Sequence, residues 1–170
     1  MADVHSPDVR RRNMQAIRGA DTKPERVLRK GLHRLGFRYR LQRGDLPGRP
    51  DLVLAKYRAV IFAHGCFWHG HGCDLFRWPR TREEFWRGKI GSNMARDARV
   101  LAALEAQGWR VALVWECALK GRGRQPEAAV LAELAAWITG GGQHIEIMAQ
   151  AAAISPALTA SASPSSSSTV

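Results

Sequence analysis

Residues 58–73, RAVIFAHGCFWHGHGC, gather the chain's densest set of reactive side chains. An apolar run from Ala59 to Ala63 ends at His64, and Cys66, His69, His71, Cys73 and the Phe67–Trp68 pair follow at once. Such groups serve as zinc ligands, as catalytic residues, as a wedge against nucleic-acid bases, or as all three. The zinc reading rests on Cys66, His71 and Cys73 in the spacing C-x4-H-x-C, joined by Cys117 after the apolar WRVALVW. Three thiolates and one imidazole form a common tetrahedral set for structural zinc. Four protein ligands leave no open position, so this metal would hold the fold rather than perform chemistry. The plain alternative is inert buried thiols beside solvated histidines.

His64 and His69 stand outside that set and flank the Phe-Trp pair. Asp51 opens the preceding apolar segment, directly after Gly48-Arg49-Pro50. A strand DLVLA that turns back through KYR into AVIFA brings Asp51 near His64. A carboxylate there can bind magnesium, which takes oxygen ligands and completes its octahedron with waters and phosphate. Taken alone, an aspartate after proline is more often just a turn residue; proximity to the histidine cluster is what favours the metal role. Neutral imidazole accepts a proton near neutral pH, and phosphodiester hydrolysis needs such a base together with a cation against developing negative charge.

The elements that position these groups are legible from periodicity and capping. Residues 6–18 predict a basic helix with Ser6 as N-cap and Pro7 at its first position; its apolar side is thin, which suits an arm docking on something acidic. Thr22 and Glu25 have capping-box spacing, Pro24 sits in the first turn, and Leu28, Leu32 and Leu35 recur at helical intervals up to Gly36. FRYRLQ alternates as a half-buried strand, LPGRP is a turn, and DLVLA and AVIFA are short strands. Thr81 and Glu84 predict a capped helix start, with an interruption at GKIGSN and a restart at Ser92 running to Gln107. WRVALVW is a strand, and residues 126–138 an amphipathic helix ending in TGGG. This order predicts a mixed α/β (α+β) layer structure.

Composition narrows the class. A chain of 170 residues with 45% hydrophobic content suits one globular domain. No apolar run approaches the roughly 20 residues of a membrane span, and the N-terminus has no apolar core of a secretion signal. The expectation is therefore a cytoplasmic protein with no membrane partner. The net charge is +11, and 13 of the 26 Lys and Arg residues lie in residues 1–49. An Arg-rich excess of this size points to phosphate-bearing partners, nucleic acid first. Three cysteines, an odd number, argue against a disulfide framework. The expected organisation is a basic arm over residues 1–20, a folded unit over 21–148, and a disordered Ala/Ser/Pro-rich tail over 149–170.

Taken together, GRPD…VIF-x-HGCFWH-x-H-x-C, TR-x-EFW, KI-x-x-N, RD and GWRV…VWEC resemble the very-short-patch repair endonucleases, bacterial enzymes that nick DNA at T:G mismatches. The resemblance covers roughly Met1 to Trp137. It implies a restriction-endonuclease-like core, with a mixed central sheet flanked by helices and a structural zinc site, in which a histidine replaces the usual lysine of the PD-(D/E)xK motif. Carried over by position, Asp51 binds the catalytic Mg2+ together with the main-chain carbonyl of Ala63, and His69 activates the attacking water. His64 and Asp97 assist at the phosphate, and Glu25 supports the metal waters. Cys66, His71, Cys73 and Cys117 bind structural Zn2+. Phe67, Trp68 and Trp86 form an aromatic wedge at the mismatch, Met14 and Ile17 lie against the minor groove, and Lys89 and Asn93 stand near the base pair. Many family members carry Thr where this chain has Ala63; a carbonyl ligand is unaffected by that change, whereas a hydroxyl contribution would be lost.

The resemblance also implies a double-stranded DNA substrate with a T:G pair, the product of 5-methylcytosine deamination. A cytosine-5 DNA methyltransferase would be its functional partner and mismatch-repair proteins its accessories. The enzyme would be a monomer in the bacterial cytoplasm, associated with the nucleoid through DNA. Two rival readings are a restriction-type endonuclease without mismatch preference and a zinc-stabilised DNA-binding module without catalysis. Residue by residue, Trp86 and Phe85 also suit a core, Glu25 a helix cap, and Asp97 a surface charge.

Overall fold

The β-branched and aromatic run Ala59–His64 forms β3, the middle strand of a five-stranded sheet. In the computed structural model the described residues are 20–150 together with Asp8, Val9 and Arg12. The sheet order is β1-β2-β3-β4-β5, built from Arg40–Leu41, Leu52–Leu54, Ala59–His64, Arg110–Trp115 and His144–Ile147. The first three strands pair antiparallel, whereas β4 joins β3, and β5 joins β4, in parallel. Parallel neighbours need long crossovers, and these supply the helices: α2 (Glu83–Ala106) between β3 and β4, then α3 (Glu116–Leu119) and α4 (Glu127–Gly140) before β5. The helix α1 (Lys23–Arg34) precedes the sheet.

Strand alternation sorts the core into two layers. Leu52, Leu54, Ala59, Ile61, Ala112 and Val114 face α1 and α4, meeting Leu28, Leu32, Leu134 and Ile138. The alternate positions Val53, Val60, Phe62, Val111 and Leu113 pack with Leu104 of α2 and with Cys66 and Cys117. Leu28 and Leu32 are fully buried, each contributing about 1.5–3 kcal/mol of apolar burial. Leu35, in register with them, is exposed, because α1 ends at Arg34 and Leu35 is already its C-cap.

Several boundaries depart from the sequence reading. The interruption expected at GKIGSN is absent: α2 runs unbroken for 24 residues, its two glycines tolerated inside a long helix. The cap expected from Thr81 is not made either. Arg82 is the N-cap, in the left-handed region, with no side-chain cap hydrogen bond. The strand expected across FRYRLQ shrinks to Arg40–Leu41 at an exposed sheet edge. HIEI, short and half polar, carries no clear strand signal of its own, yet it forms β5. By contrast, the capping box of α1 is complete, with both the Thr22 side chain and the Glu25 side chain engaged. Of the predicted arm helix, Asp8, Val9 and Arg12 are helical and the remainder lies outside the described residues, as does the expected tail from residue 151 onward.

The turn that delivers Asp51 to the sheet packs closely on α2. Gly48 has φ +70°, and a Cβ built there would stand 2.4 Å from Cγ1 of Val100, a stiff β-branched side chain. Gly48→Ala therefore combines backbone strain with overpacking, and about 1–3 kcal/mol of destabilisation is expected in chemical denaturation. Gly44→Ala, where no atom lies within 4 Å, is the matched control and should be near neutral. Equal stability of the two variants would show that this contact does not constrain the turn.

Candidate active site

Parallel pairing decides where the reactive residues meet. His64 at the end of β3 pairs with Trp115 at the end of β4. Two residues beyond these ends stand Cys66 and Cys117, both buried. The loop after β3 then folds back on itself, with the His71 amide donating to the Cys66 carbonyl (3.0 Å) and the Cys73 amide to the His71 carbonyl (2.8 Å). As a result, one ligand atom from each of Cys66, His71, Cys73 and Cys117 lies within 4.8 Å of the others. Nδ1 of His71 is 3.5 Å from Cys117 Sγ. The His71 ring stacks on Trp115 at 4.2 Å, and the Trp115 indole N–H donates to Glu146 of β5 at 3.1 Å. Burial pushes the Cys66 and Cys117 thiols up and the His71 imidazole down, and no disulfide joins the cysteines. Close, desolvated, unoxidised soft donors fit a thiophilic cation such as zinc, which would favour the thiolates.

A second cluster, His64, His69 and Asp97, sits beside the first. The His64 and His69 rings are stacked, 3.8 Å apart and 4° from parallel. Asp97 Oδ2 lies 2.5 Å from His69 Nδ1, so the carboxylate accepts the Nδ1–H and leaves Nε2 as the ring's acceptor. Burial pushes His64 down to about 3, reinforced by His69 and then by Arg96, so this ring is neutral at physiological pH. Its Nδ1 is buried with no hydrogen-bond partner. The unbroken α2 matters here. Lys89, Asn93, Asp97 and Val100 recur at helical intervals and all line one cleft, which an interrupted helix would not ensure.

That cleft has a volume of about 920 Å3 and is closed on its other side by Thr22, the N-cap of α1, and by Pro24 and Glu25 of its first turn. Asp51 lines it too, fixed by the Ala63 amide, which donates to Asp51 Oδ2 at 2.7 Å across the β2–β3 pair. Burial raises the Asp51 carboxyl to about 6; the Ala63 amide opposes the rise, Glu25 adds to it, and Arg29 opposes it. Glu25 is itself buried, accepting from the Asp21 amide (2.9 Å), the Thr22 hydroxyl (2.9 Å) and the Thr22 amide (3.3 Å). It is therefore both a helix cap and a wall of the cleft. Two neighbouring desolvated carboxyl groups fit a hard divalent cation, whose charge would offset their mutual repulsion.

The aromatic residues form one cluster rather than a scattered core. Phe67 contacts Trp68 (5.1 Å between centroids) and Trp86 (5.3 Å), and all three are half-buried. Trp68 lines the cleft, and the buried Asn93 amide donates to its carbonyl at 2.9 Å, so Asn93 holds the Trp68 backbone. Lys89 is exposed at the cleft. Met14 and Ile17 lie outside the described residues. Sequence reasoning missed Gln42, Arg49, Arg96 and Glu116, which also line the cleft. Two of them had a signal: Arg49 precedes Pro50-Asp51 inside the GRPD motif, and Arg96 follows Asn93 by one helical turn.

Fold and site together define a mixed α/β enzyme with a histidine–aspartate pair and a buried carboxyl in a cleft that mixes acidic groups with the cations Arg49, Lys89 and Arg96. Comparison with known proteins makes the class specific. The family description DNA mismatch endonuclease Vsr matches residues 2–75. The DNA mismatch endonuclease Vsr of Escherichia coli (strain K12) is 49% identical over 150 residues, covering 88% of this chain and 96% of that protein. The Type II nicking enzyme V.XorIIP of Xanthomonas oryzae pv. oryzae is 52% identical over 123 residues, covering 72% and 90%. The Type II nicking enzyme V.NmeAIP of Neisseria meningitidis is 43% identical over 122 residues, covering 72% and 87%. The chain belongs to the Vsr family of DNA endonucleases.

The raised Asp51 carboxyl has a stability consequence. Between its ordinary value of 3.8 and about 6 the folded protein holds a proton that the unfolded chain releases, so stability falls as pH rises through this window. In metal-free protein, Asp51→Asn removes that loss. The variant should match wild type near pH 4 and exceed it near pH 7 by up to about 3 kcal/mol in denaturant titrations. A constant difference between the two pH values would show that Asp51 is not held protonated by its surroundings.

Proposed function

We propose that this endonuclease nicks one strand of double-stranded DNA 5′ to the thymine of a T:G mismatch, with magnesium in the cleft and zinc in the cysteine cluster. The observation that carries the reading is the His69–Asp97 pair, 2.5 Å apart, in the same cleft as Asp51 and the cations Lys89, Arg96 and Arg49. Asp97 orients the His69 ring and supports the positive charge it gains, so that Nε2 can take a proton from an attacking water. His64 stays neutral through burial, and its stacking on His69 adds no competing charge when His69 is protonated. With Nδ1 buried and unpartnered, its proton belongs on Nε2, a donor for a phosphate oxygen. Asp51, with the Ala63 carbonyl, would hold the magnesium ion, and Glu25 would hold its waters. Bound there, magnesium supplies Lewis-acid stabilisation of the charge that develops on the phosphate.

The mixed sheet, with Asp51 leading into β2 and His64 ending β3, supports a restriction-endonuclease-like core. The Phe67–Trp68–Trp86 cluster beside the cleft supports an aromatic wedge. Unstacking costs about a few kcal/mol per step and least at a mispaired one, so insertion favours T:G over a paired site. Met14 and Ile17 of the basic arm would extend this contact in the minor groove. The reading extends, by the family likeness, to a cytosine-5 methyltransferase as functional partner, mismatch-repair accessories, and a monomer at the nucleoid of the bacterial cytoplasm.

The test is nicking of duplexes that differ only in one T:G, C:G or A:T pair, with and without magnesium. His69→Ala should lower T:G nicking at least about 100-fold while T:G binding and metal content persist. Nicking within a few-fold of wild type would remove His69 as the base, and equal cutting of all three duplexes would sink the mismatch reading.

Zinc has its own test. Cys117→Ala leaves three donors of a closed site and should lower bound zinc below one per chain, together with the melting temperature. Wild-type zinc content and melting in this variant would exclude Cys117 as a ligand.

A further inference from the structure

Away from the cleft, α1 carries a second concave surface of about 470 Å3, lined by Arg26, Arg29, Lys30, His33, Arg34 and Tyr39. The cationic residues follow the helical repeat at 26, 29–30 and 33–34, on the side opposite the buried Leu28 and Leu32. Tyr39 fixes the floor by donating its hydroxyl to the Arg29 carbonyl at 2.8 Å. Arg29 pairs with Asp21. Arg26, Lys30 and Arg34 make no ion pair among the described residues, and no acidic side chain lines the surface. Like charges spaced i,i+4, as in Arg26–Lys30 and Lys30–Arg34, destabilise a helix unless a counter-charge lies over them.

The geometry points to a second phosphate site, at which α1 holds the sugar-phosphate backbone of the same duplex a few nucleotides from the scissile bond. This rests on the proposed function, which seats DNA in the cleft. One helix joins the two surfaces: Thr22, Pro24 and Glu25 line the cleft, and Arg26 begins the basic pocket. Helical rise is about 1.5 Å per residue and helix width about 10–12 Å, so the two sites lie within a few phosphates of each other along a strand. An acidic protein would match the charge but not this continuity with the cleft.

The test compares wild type, Arg26→Gln/Lys30→Gln/Arg34→Gln and Lys30→Gln on a T:G duplex across a series of salt concentrations. Lys56→Gln, on the turn after β2 at the far end of the sheet, is the charge control. Each neutralised phosphate contact lowers the slope of log K against log salt by about 0.9, so the triple variant should lose between about 2 and 3, Lys30→Gln about 1, and Lys56→Gln nothing. Uncharged methylphosphonate linkages, scanned along both strands, should reveal a short run of phosphates that matter to wild type and not to the triple variant. The substituted residues lie on the surface, so thermal melting should be unchanged or raised, which separates lost contacts from lost fold.

A wild type that nicks T:G duplexes while the triple variant keeps its full salt slope would overturn the second site alone. The second site also fails if Lys56→Gln shifts the slope as much as Lys30→Gln. A wild type that neither binds nor nicks the duplex would overturn the reading of the cleft and this inference with it.

Discussion

The parallel pairing of β3 with β4, in the register that sets His64 against Trp115, is the constraint on which the site depends. Parallel strands end at the same edge of a sheet, so residues just beyond the two ends become neighbours although they stand far apart in the chain. Cys66 and Cys117 meet for this reason. His71 then reaches Trp115 by stacking, and Trp115 is tied to β5 through Glu146. A shift of one residue in this register would turn His64 to the opposite face of the sheet, away from His69 and Asp97.

Burial then gives these neighbours their chemistry. The same desolvation acts in opposite directions on acids and bases: it pushes His64 down and Asp51 up. A neutral imidazole beside the His69–Asp97 pair, and a carboxyl group reluctant to ionise without a cation, are two outcomes of one low-dielectric cleft. Glu25 shows how structure and site share residues. Its carboxylate closes the first turn of α1 and at the same time walls the cleft, so a helix-capping group adds to the rise that burial imposes on Asp51.

The long α2 serves both halves of the molecule. Leu104 packs under the sheet, while Lys89, Asn93 and Asp97 present one face to the cleft. Asn93 holds the carbonyl of Trp68, and this links the helix to the loop that carries both the aromatic cluster and the cysteines. Positions on α2 and on the loop after β3 are thus tied into one site.

Much of this was written locally. Apolar runs of β-branched residues mark β2, β3 and β4, the Thr22–Glu25 box marks the start of α1, and the crowding of Cys, His and aromatic residues after β3 marks the site. Each is a short-range pattern, decided by side-chain chemistry and backbone preference over a few residues. Other features were not legible at that range. The glycines of GKIGSN weaken a helix locally, yet packing along α2 overrides them, and Thr81 stands one residue too early to cap it. HIEI becomes a strand because β4 offers it an open edge, and FRYRLQ stays mostly irregular at the exposed edge beside β2. Arg96 and Glu116 join the cleft, and the cations of α1 form a second surface, through placement rather than motif. The sequence alone determined which groups exist and which short segments carry them. Only the tertiary structure decided which of them meet, because contact between distant residues depends on strand register and on the burial that the whole sheet creates.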